Sequence, residues 1–493
     1  MLPWRTIIQL QKEGDQPVYL QIANAVIREM KRGRIGPGIK LPGTRQMSEL
    51  LEVHRKTLVR AYEELEAQGW IEMRPSKGAF TSKELPEINP RKLSSRKERP
   101  VAFPATTGYS VKVNDKIRTP VLPMRHMTGF HDGPDPRLTP LDELGKTYKS
   151  VLLRNINRKY LSYVETPGVP KFRAVLSEYL NASRGLQTTA ENILITRGST
   201  MGLYLLTSVL FQKNDIIIAG DTNYYYADHV FINAGMQLLR VKVDLFGIDV
   251  EAIEKICRRR KVKAVHITSH HHYPTTVTLI ASRRIRLLSL AEKYGFIIIE
   301  DDYDYDFHYH SSPILPLVSS DEKGMVIYIG TFSKTIAPAI RTGYLVAPAN
   351  LILELARLRQ LVDTQGDPIM ELTIAEMLEN GGIKRHMKKA LTAYRKRRDH
   401  MSSLLNEKLS GAIDFRIPDG GLAIWAKFKG AVPLPPLVEK LKEQGVILSN
   451  GLIHNTSSVS LNATRLGFGW MNEKEAEHAV AVLADTVRSL FKV

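Results

Sequence analysis

The sequence predicts two folded parts: a small helical domain closed by a β-hairpin, then a large α/β domain with a mostly parallel central sheet and a small α+β segment at its end. Three observations lead there. The chain has 493 residues, more than one ordinary hydrophobic core can serve. Up to residue 69 apolar positions recur at helical spacing, and a short alternating stretch follows. From about residue 106 short β-branched runs alternate with helical stretches, the pattern of strands joined by helical crossovers.

Residues 18–33 (VYLQIANAVIREMKRG) place Val18, Ile22, Val26, Ile27 and Met30 on one helical face, and Gly33 with GPG at 36–38 stops that helix. RQMSELLE (45–52) predicts a second short helix with Thr44 as its N-cap, and RKTLVRAYEELEAQG (55–69) a third that Gly69 ends. WIEMRPSKGAFTS (70–82) alternates and turns at Ser76–Gly78, as a hairpin does. Residues 1–82 form the first domain on this reading. Residues 83–105 are rich in Pro, Ser, Lys and Arg without periodicity, so they predict a flexible basic linker. The body, 106–493, carries strand-like runs at 193–196, 216–220, 238–243, 264–269, 296–302, 326–330 and 343–348. Helices are expected at 251–260 and 282–294, helical patterns dominate after residue 350, and a smaller α+β segment from about 395 closes the chain.

Sixty-nine Lys and Arg against 51 Asp and Glu give a formal net charge of +18, which favours a polyanionic partner, nucleic acid before anionic membrane. The excess is spread along the chain, because residues 1–82 hold 13 Lys and Arg against 9 Asp and Glu. Charge alone therefore does not locate a DNA site. Cys257 is the single cysteine, so no internal disulfide is available and nothing points to an oxidising compartment. No signal-peptide core opens the sequence, and no apolar run approaches the ~20 residues of a membrane span. A disulfide scaffold and a helical membrane protein are thereby set aside, and the cytoplasm is the expected location.

Two regions carry chemistry. In the first, a helix that reads a major groove must present its N-terminal residues, here His54, Arg55, Lys56 and Thr57. Arg and Lys donate to phosphates or guanine edges, and Thr bonds either phosphate or base. Arg60, about one turn further on, is placed to reach phosphate, while Lys77 and Gly78 at the hairpin tip suit close approach to a minor groove or backbone.

In the second, the run IYIGTFSKTIAPAIRTGYLVAP (327–348) leads from a strand into a loop holding Lys334 among small hydroxyl residues, with Arg341 after it. Pyridoxal phosphate needs a lysine that forms a Schiff base with its aldehyde, and hydroxyls and a cation for its phosphate. Thr331 and Ser333 supply hydroxyls and Arg341 the cation. FIIIEDDYDYDF (296–307) ends an apolar strand in clustered acids, where an open α/β sheet places its ligand. A carboxylate there can hold a pyridine nitrogen protonated; a Ca²⁺ or Mg²⁺ site is the rival reading, disfavoured by the missing glycine spacing. ITRGSTMGLYLL (195–206) reads as strand, glycine turn and helix, so the backbone N–H groups of Ser199 and Thr200 face a phosphate. The adjacent His270, His271 and His272 point in different directions and do not share a metal, so no metal site is expected; His271 is the one placed nearest the cofactor.

Residues 17–80 resemble the winged-helix domain of GntR-type regulators, through the PG–LP–R–L run, the AY–L–G segment and the closing G–F. By that resemblance Arg45 also reaches DNA. The remainder resembles fold-type I aminotransferases, and the whole chain resembles MocR/GabR-type regulators, through GPDPRLTP (133–140), YVETPGVPKFRAVLSEYL (163–180), ITRGS (195–199), HHYPTTVTL (271–279), EDDYD (300–304), TFSKTIAPAIRTGYL (331–345) and TRLGF (464–468). The resemblance implies that Lys334 carries the Schiff base and Asp301 partners the pyridine nitrogen. Tyr303 would bond the phenolate oxygen, and Tyr224 would stack on the ring. Ser199, Thr200, Thr331 and Arg341 would hold the phosphate, joined by Tyr163 from the partner subunit of a head-to-tail homodimer. Arg465 would receive an effector carboxylate.

Two departures bear on function. The Asn-Pro-x-Gly turn of aminotransferases reads Tyr273-Pro274-Thr275-Thr276, and no arginine closely follows Tyr224. The expected function is a DNA-binding transcription regulator that acts on a double-stranded operator and senses pyridoxal phosphate, an amine or an amino acid. The alternative is an active aminotransferase with an accessory DNA-binding domain; residual transamination is compatible with the regulator reading, in which turnover is not the main role.

Overall fold

In the computed structural model the three helices expected before residue 70 form at Val18–Lys31, Thr44–Leu51 and Arg55–Ala67, after a short helix Trp4–Ile7. The structure describes residues 3–11, 16–85, 105–111, 128–309, 314–430, 432–455 and 461–491. By its internal contacts the chain divides into two units, Met1–Val113 and Asn114–Val493. Most of the linker expected at 83–105 lies outside the described residues.

The first unit packs Ile22, Val26, Met30, Met47, Leu58, Leu65 and Ile71 into a core of their own, while Val18 stays half-buried at its edge. Thr44 is not the cap of the second helix but its first residue. Gly43 already has the extended cap geometry, and its carbonyl takes the first helical bond from Met47 N. The strands Ile71–Arg74 and Gly78–Thr81 pair antiparallel as the expected hairpin, with Arg74 opposite Gly78.

In the second unit seven strands form one sheet in the order Ile193–Thr196, Gly343–Val346, Val326–Thr331, Ile297–Asp302, Val262–Ile267, Ile216–Gly220, Gln237–Val241. The last five are parallel, and Gly343–Val346 runs antiparallel to both its neighbours. Buried helices cover the faces, which is why these strands read as continuous apolar runs. The helices Val250–Cys257 and Ala281–Tyr294 fall where the spacing places them. The closing segment begins later than residue 395, because the helix Gly382–Leu409 continues unbroken through that point. The antiparallel sheet Ile413–Phe415, Ala423–Phe428, Ala463–Gly467 then follows, with the helix Glu473–Phe491 behind it.

The YVETPGVP motif has a structural use. Arg359, fully buried, donates from Nη1 to the carbonyls of Thr166 (2.7 Å) and Ile195 (2.6 Å). Glu371 Oε2 accepts from Val169 N at 2.6 Å, and Gly168, at φ +115°, leaves no room for a Cβ against Ile195. Burial raises the Glu371 carboxyl from 4.5 to about 7. The folded protein therefore binds this proton more tightly than the unfolded chain, and stability falls as pH rises through the window from 4.5 to about 7. Glu371→Gln keeps an acceptor for Val169 and removes the titration. Thermal melts across that window are expected to show the wild type losing stability relative to the variant as pH rises; parallel curves would refute the assignment.

Candidate functional site

The strands Ile297–Asp302 and Val326–Thr331 end beside one another, and their carboxyl ends open onto a cavity of about 260 Å³. Ser199, Thr200, Tyr224, Asp301, Tyr303, Thr331, Ser333, Lys334 and Arg341 all line it, so nine residues expected at the cofactor meet in one place. Asp132, Tyr226 and Tyr273 line it too. Asp132 stands one position before the GPDPRLTP motif, and nothing in the chain order hints that it meets Lys334, which is distant in sequence.

Each wall has a local cause. The helix Ser199–Leu210 starts straight after Gly198, which sits at φ +85°. A Cβ on Gly198 would lie 2.8 Å from Arg341 Nη2, so only glycine lets that guanidinium settle against the helix start. Arg341 Nη2 donates to the Arg197 carbonyl at 2.8 Å. Thr331 Oγ1 donates to Ser333 Oγ at 3.0 Å and accepts from Ser333 N at 3.1 Å. Unbonded N–H groups at a helix start, an arginine and two hydroxyls make an anion cradle.

The opposite wall is acidic. Asp301 is buried, and its Oδ1 has no hydrogen-bond partner among the described residues; the nearest cation-capable group is His266 Nε2, 4.0 Å from Oδ2. His266 is itself held by Asn223, Nδ1 to Oδ1, at 3.1 Å. The Tyr224 and Tyr273 rings meet edge to face at 5.3 Å. Tyr303 donates from its hydroxyl to the His271 carbonyl at 3.0 Å. Lys334 Nζ donates to the Asp132 carbonyl at 2.9 Å.

The three histidines diverge as expected. His270 faces Asp302, His271 Nδ1 faces Asp304 Oδ1 at 3.0 Å, and His272 Nε2 meets the Thr222 carbonyl at 2.9 Å. His271 does not line the cavity; it lies one layer beneath, supporting Tyr303 through its backbone because its ring is committed to Asp304. Among the described residues no group of three or more His, Cys, Asp or Glu side chains is placed to hold a metal.

Arg465 is buried and does not stand free. Its Nε donates to Asp132 Oδ2 at 2.9 Å and its Nη1 to the Pro274 carbonyl at 3.0 Å, with the guanidinium 4.6 Å over the Tyr273 ring. Burial alone would raise the Asp132 carboxyl, but Lys334 and Arg465 outweigh it and hold it at about 2. Tyr163 is 85% exposed and lies outside this cavity.

The residues present fit pyridoxal phosphate. The cradle at Ser199, Thr200 and Arg341 suits a phosphate, the orphaned Asp301 oxygen suits a protonated ring nitrogen, and Lys334 lines the same cavity.

In the first unit the helix Arg55–Ala67 is capped by His54, whose Nδ1 accepts from Lys56 N at 3.2 Å. His54, Arg55 and Lys56 are exposed and Thr57 is half-buried. Among the described residues Arg45, Arg55, Lys56 and Lys77 form no ion pair, which leaves their charge for a ligand; Lys77 and Gly78 sit at the hairpin tip. Arg60 stacks over the Tyr19 ring at 4.2 Å, a contact its spacing from Arg55 did not reveal.

Comparison with known proteins agrees with both units. Residues 134–483 match the family model for aminotransferase class I and II, and residues 18–81 match that for bacterial regulatory proteins of the gntR family. The chain is similar to an uncharacterized HTH-type transcriptional regulator, YisV, of Bacillus subtilis (25% identical, covering 98% of each chain). It is also similar to a probable rhizopine catabolism regulatory protein, MocR, of Rhizobium meliloti (25% identical over 90% of this chain and 88% of that one). Among solved structures it resembles a multiple substrate aminotransferase of Thermococcus profundus, with a TM-score of 0.70, 26% identity, and coverage of 75% of this chain and 93% of that one.

The Gly198 contact gives a direct test of the cradle. Gly198→Ala is expected to weaken uptake of pyridoxal phosphate by about 10-fold or more, since the arginine must give way and the backbone is strained at positive φ. Titration of the apoprotein measures it, and unchanged affinity would count against this cradle.

Proposed function

From a chain that belongs to the class I and II aminotransferase family, in the MocR-type arrangement with a gntR-family DNA-binding domain in front, we infer that this pyridoxal-phosphate-dependent transcription regulator reads an amine, an amino acid or pyridoxal phosphate itself as its signal. One observation carries the reading: Lys334, Asp301 and Arg341 line a single cavity in a chain whose other unit exposes unpaired Arg55 and Lys56 at a helix start.

Bound in the cavity, pyridoxal phosphate supplies an aldehyde that captures primary amines and an electron-withdrawing ring. The chain does the rest. The N–H groups of Ser199 and Thr200, the Thr331 and Ser333 hydroxyls and Arg341 anchor an anion at one end. Asp301 Oδ1 accepts an N–H at the other end and keeps that proton in place. Tyr224 would stack on the ring and Tyr303 would bond its phenolate oxygen, and the Lys334 amine would be the covalent tether. Coupling to DNA follows if the effector has unequal affinity for two arrangements of the chain. The segment 83–105 serves as linker between a DNA-binding domain 1–82 and a body 106–493.

We propose a homodimer with Tyr163 reaching the partner's site. Its 85% exposure supports this, as do the neighbouring exposed apolar side chains of Leu153, Ile156 and Leu161. Two heads would then meet paired half-sites on the operator. Among the described residues no helix is long and apolar enough to cross a membrane, which suits a cytoplasmic protein.

Two variants separate the parts. Arg55→Ala is expected to abolish or strongly weaken footprints on the DNA flanking its own gene while pyridoxal phosphate uptake persists; an unchanged footprint would remove Arg55 from the interface. Lys334→Ala is expected to lose the visible absorption band of covalently held cofactor, and a retained band would displace Lys334 from its role. Sustained multiple-turnover transamination of a common amino acid at ~1–10³ s⁻¹ would favour the enzymatic reading instead.

A further inference from the structure

The segment that carries Asp132 is built into the body on both sides. Thr128–Gly129 pairs parallel with Val446–Ile447, and Phe130 N donates to the Ile447 carbonyl at 3.0 Å. The chain then crosses directly over the strand Ala463–Gly467, where a Cβ on Gly467 would lie 1.9 Å from the His131 carbonyl oxygen. Beyond the crossing, Asp135 N donates to the Tyr394 hydroxyl at 3.1 Å, and Arg397 holds Asp135 Oδ2 at 2.9 Å. This crossing sets the Asp132 carboxylate on Arg465, which lies two residues before Gly467.

We propose that Asp132 is a specificity-determining residue: a tethered carboxylate on Arg465 that turns the site away from α-amino acids and toward amines with no carboxylate on the amine-bearing carbon. The inference rests on reading Arg465 as the cation that would receive a ligand carboxylate. Arg465 Nε is filled by Asp132, which takes the side-on face that runs through Nε, and Nη1 already serves the Pro274 carbonyl, so a second carboxylate competes with bonds the protein makes itself. A tethered acid competes at an effective concentration of about millimolar or more, and an incoming carboxylate must displace it. The Asp132 side chain keeps 35% of its surface exposed and lines the cavity beside Lys334, so an undisplaced acid also meets any ligand carboxylate as a like charge.

The test uses the full-length, cofactor-loaded protein and a pair of ligands that differ only in the carboxylate, L-phenylalanine and 2-phenylethylamine. Binding is read by calorimetry and by the change in the cofactor's absorption. The wild type is expected to bind the amine at least about 10-fold more tightly than the amino acid. Asp132→Asn keeps the shape and removes the charge, and it is expected to tighten the amino acid by about 10-fold while moving the amine by no more than about twofold. A wild type that prefers the amino acid overturns the proposal, and so does a variant that shifts both ligands equally. If Asp132→Asn does not take up cofactor, Asp132→Ser and the wild-type ratio decide in the same way. A wild type that never takes up pyridoxal phosphate overturns the cofactor reading itself, a result distinct from equal shifts in a loaded protein.

Discussion

Two backbones touch beneath the cavity, and the phosphate end depends on that touch. A Cβ on Gly343 would lie 2.8 Å from the Gly198 Cα, and one on Gly198 would lie as close to Arg341 Nη2. Any side chain here would push the antiparallel strand Gly343–Val346 away from the start of the helix Ser199–Leu210. Arg341 precedes that strand by two residues, so displacing the strand also displaces the only arginine among the described residues that lines the cavity. The sheet order supports the same arrangement. Inserting one antiparallel strand between Ile193–Thr196 and Val326–Thr331 lets the helix start and the Lys334 loop face one another across a single gap.

The acid cluster after the strand Ile297–Asp302 shows how charge is distributed in so buried a place. Glu300 accepts from Leu317 N at 2.9 Å and Val318 N at 3.1 Å and meets the Ser269 hydroxyl, and burial pushes its carboxyl up. Asp302 would be raised by burial, but His270 beside it and the Tyr328 hydroxyl at 2.8 Å hold it low. Asp304 is taken by His271. Each of these acids has donors on the protein. Asp301 and Asp302 each keep one orphaned buried oxygen among the described residues, and of the two only Asp301 lines the cavity. An unpartnered carboxylate oxygen in such a place is costly without a donor from a ligand, which is the physical content of assigning it to a ring nitrogen.

The strands and most helices were legible because their apolar periods are strong and their turns carry glycine. The exposed placement of Arg55, Lys56 and Lys77 was legible because a helix start and a hairpin tip impose positions on the chain. The nine cavity residues came from short motifs whose spacing within each segment is fixed by one strand-to-loop turn. What the sequence hid are contacts between distant segments. Asp132 meets Arg465 and Lys334 only because the chain crosses over Gly467, and no period or motif encodes that crossing. Spacing places Arg60 for a phosphate but does not reveal its stacking on the Tyr19 ring, which comes from another helix. The cap at Gly43 and the unbroken helix through residue 395 are boundary effects, where local preference decides between adjacent residues.

The pair of Asp132 and Arg465 also bears on whether this body is an enzyme or a sensor. An aminotransferase that turns over amino acids must fill and empty its carboxylate-binding cation on every cycle. A tethered acid on that cation opposes each filling, and it remains ionised at any pH near neutrality because its carboxyl sits at about 2. A sensor works under a different constraint. It needs one ligand to be held long enough to shift a population, and it gains from rejecting the abundant amino acids that would otherwise occupy it. On the proposed reading of Arg465 as the carboxylate seat, its occupation by Asp132 would favour capture of a select amine over rapid exchange of common substrates.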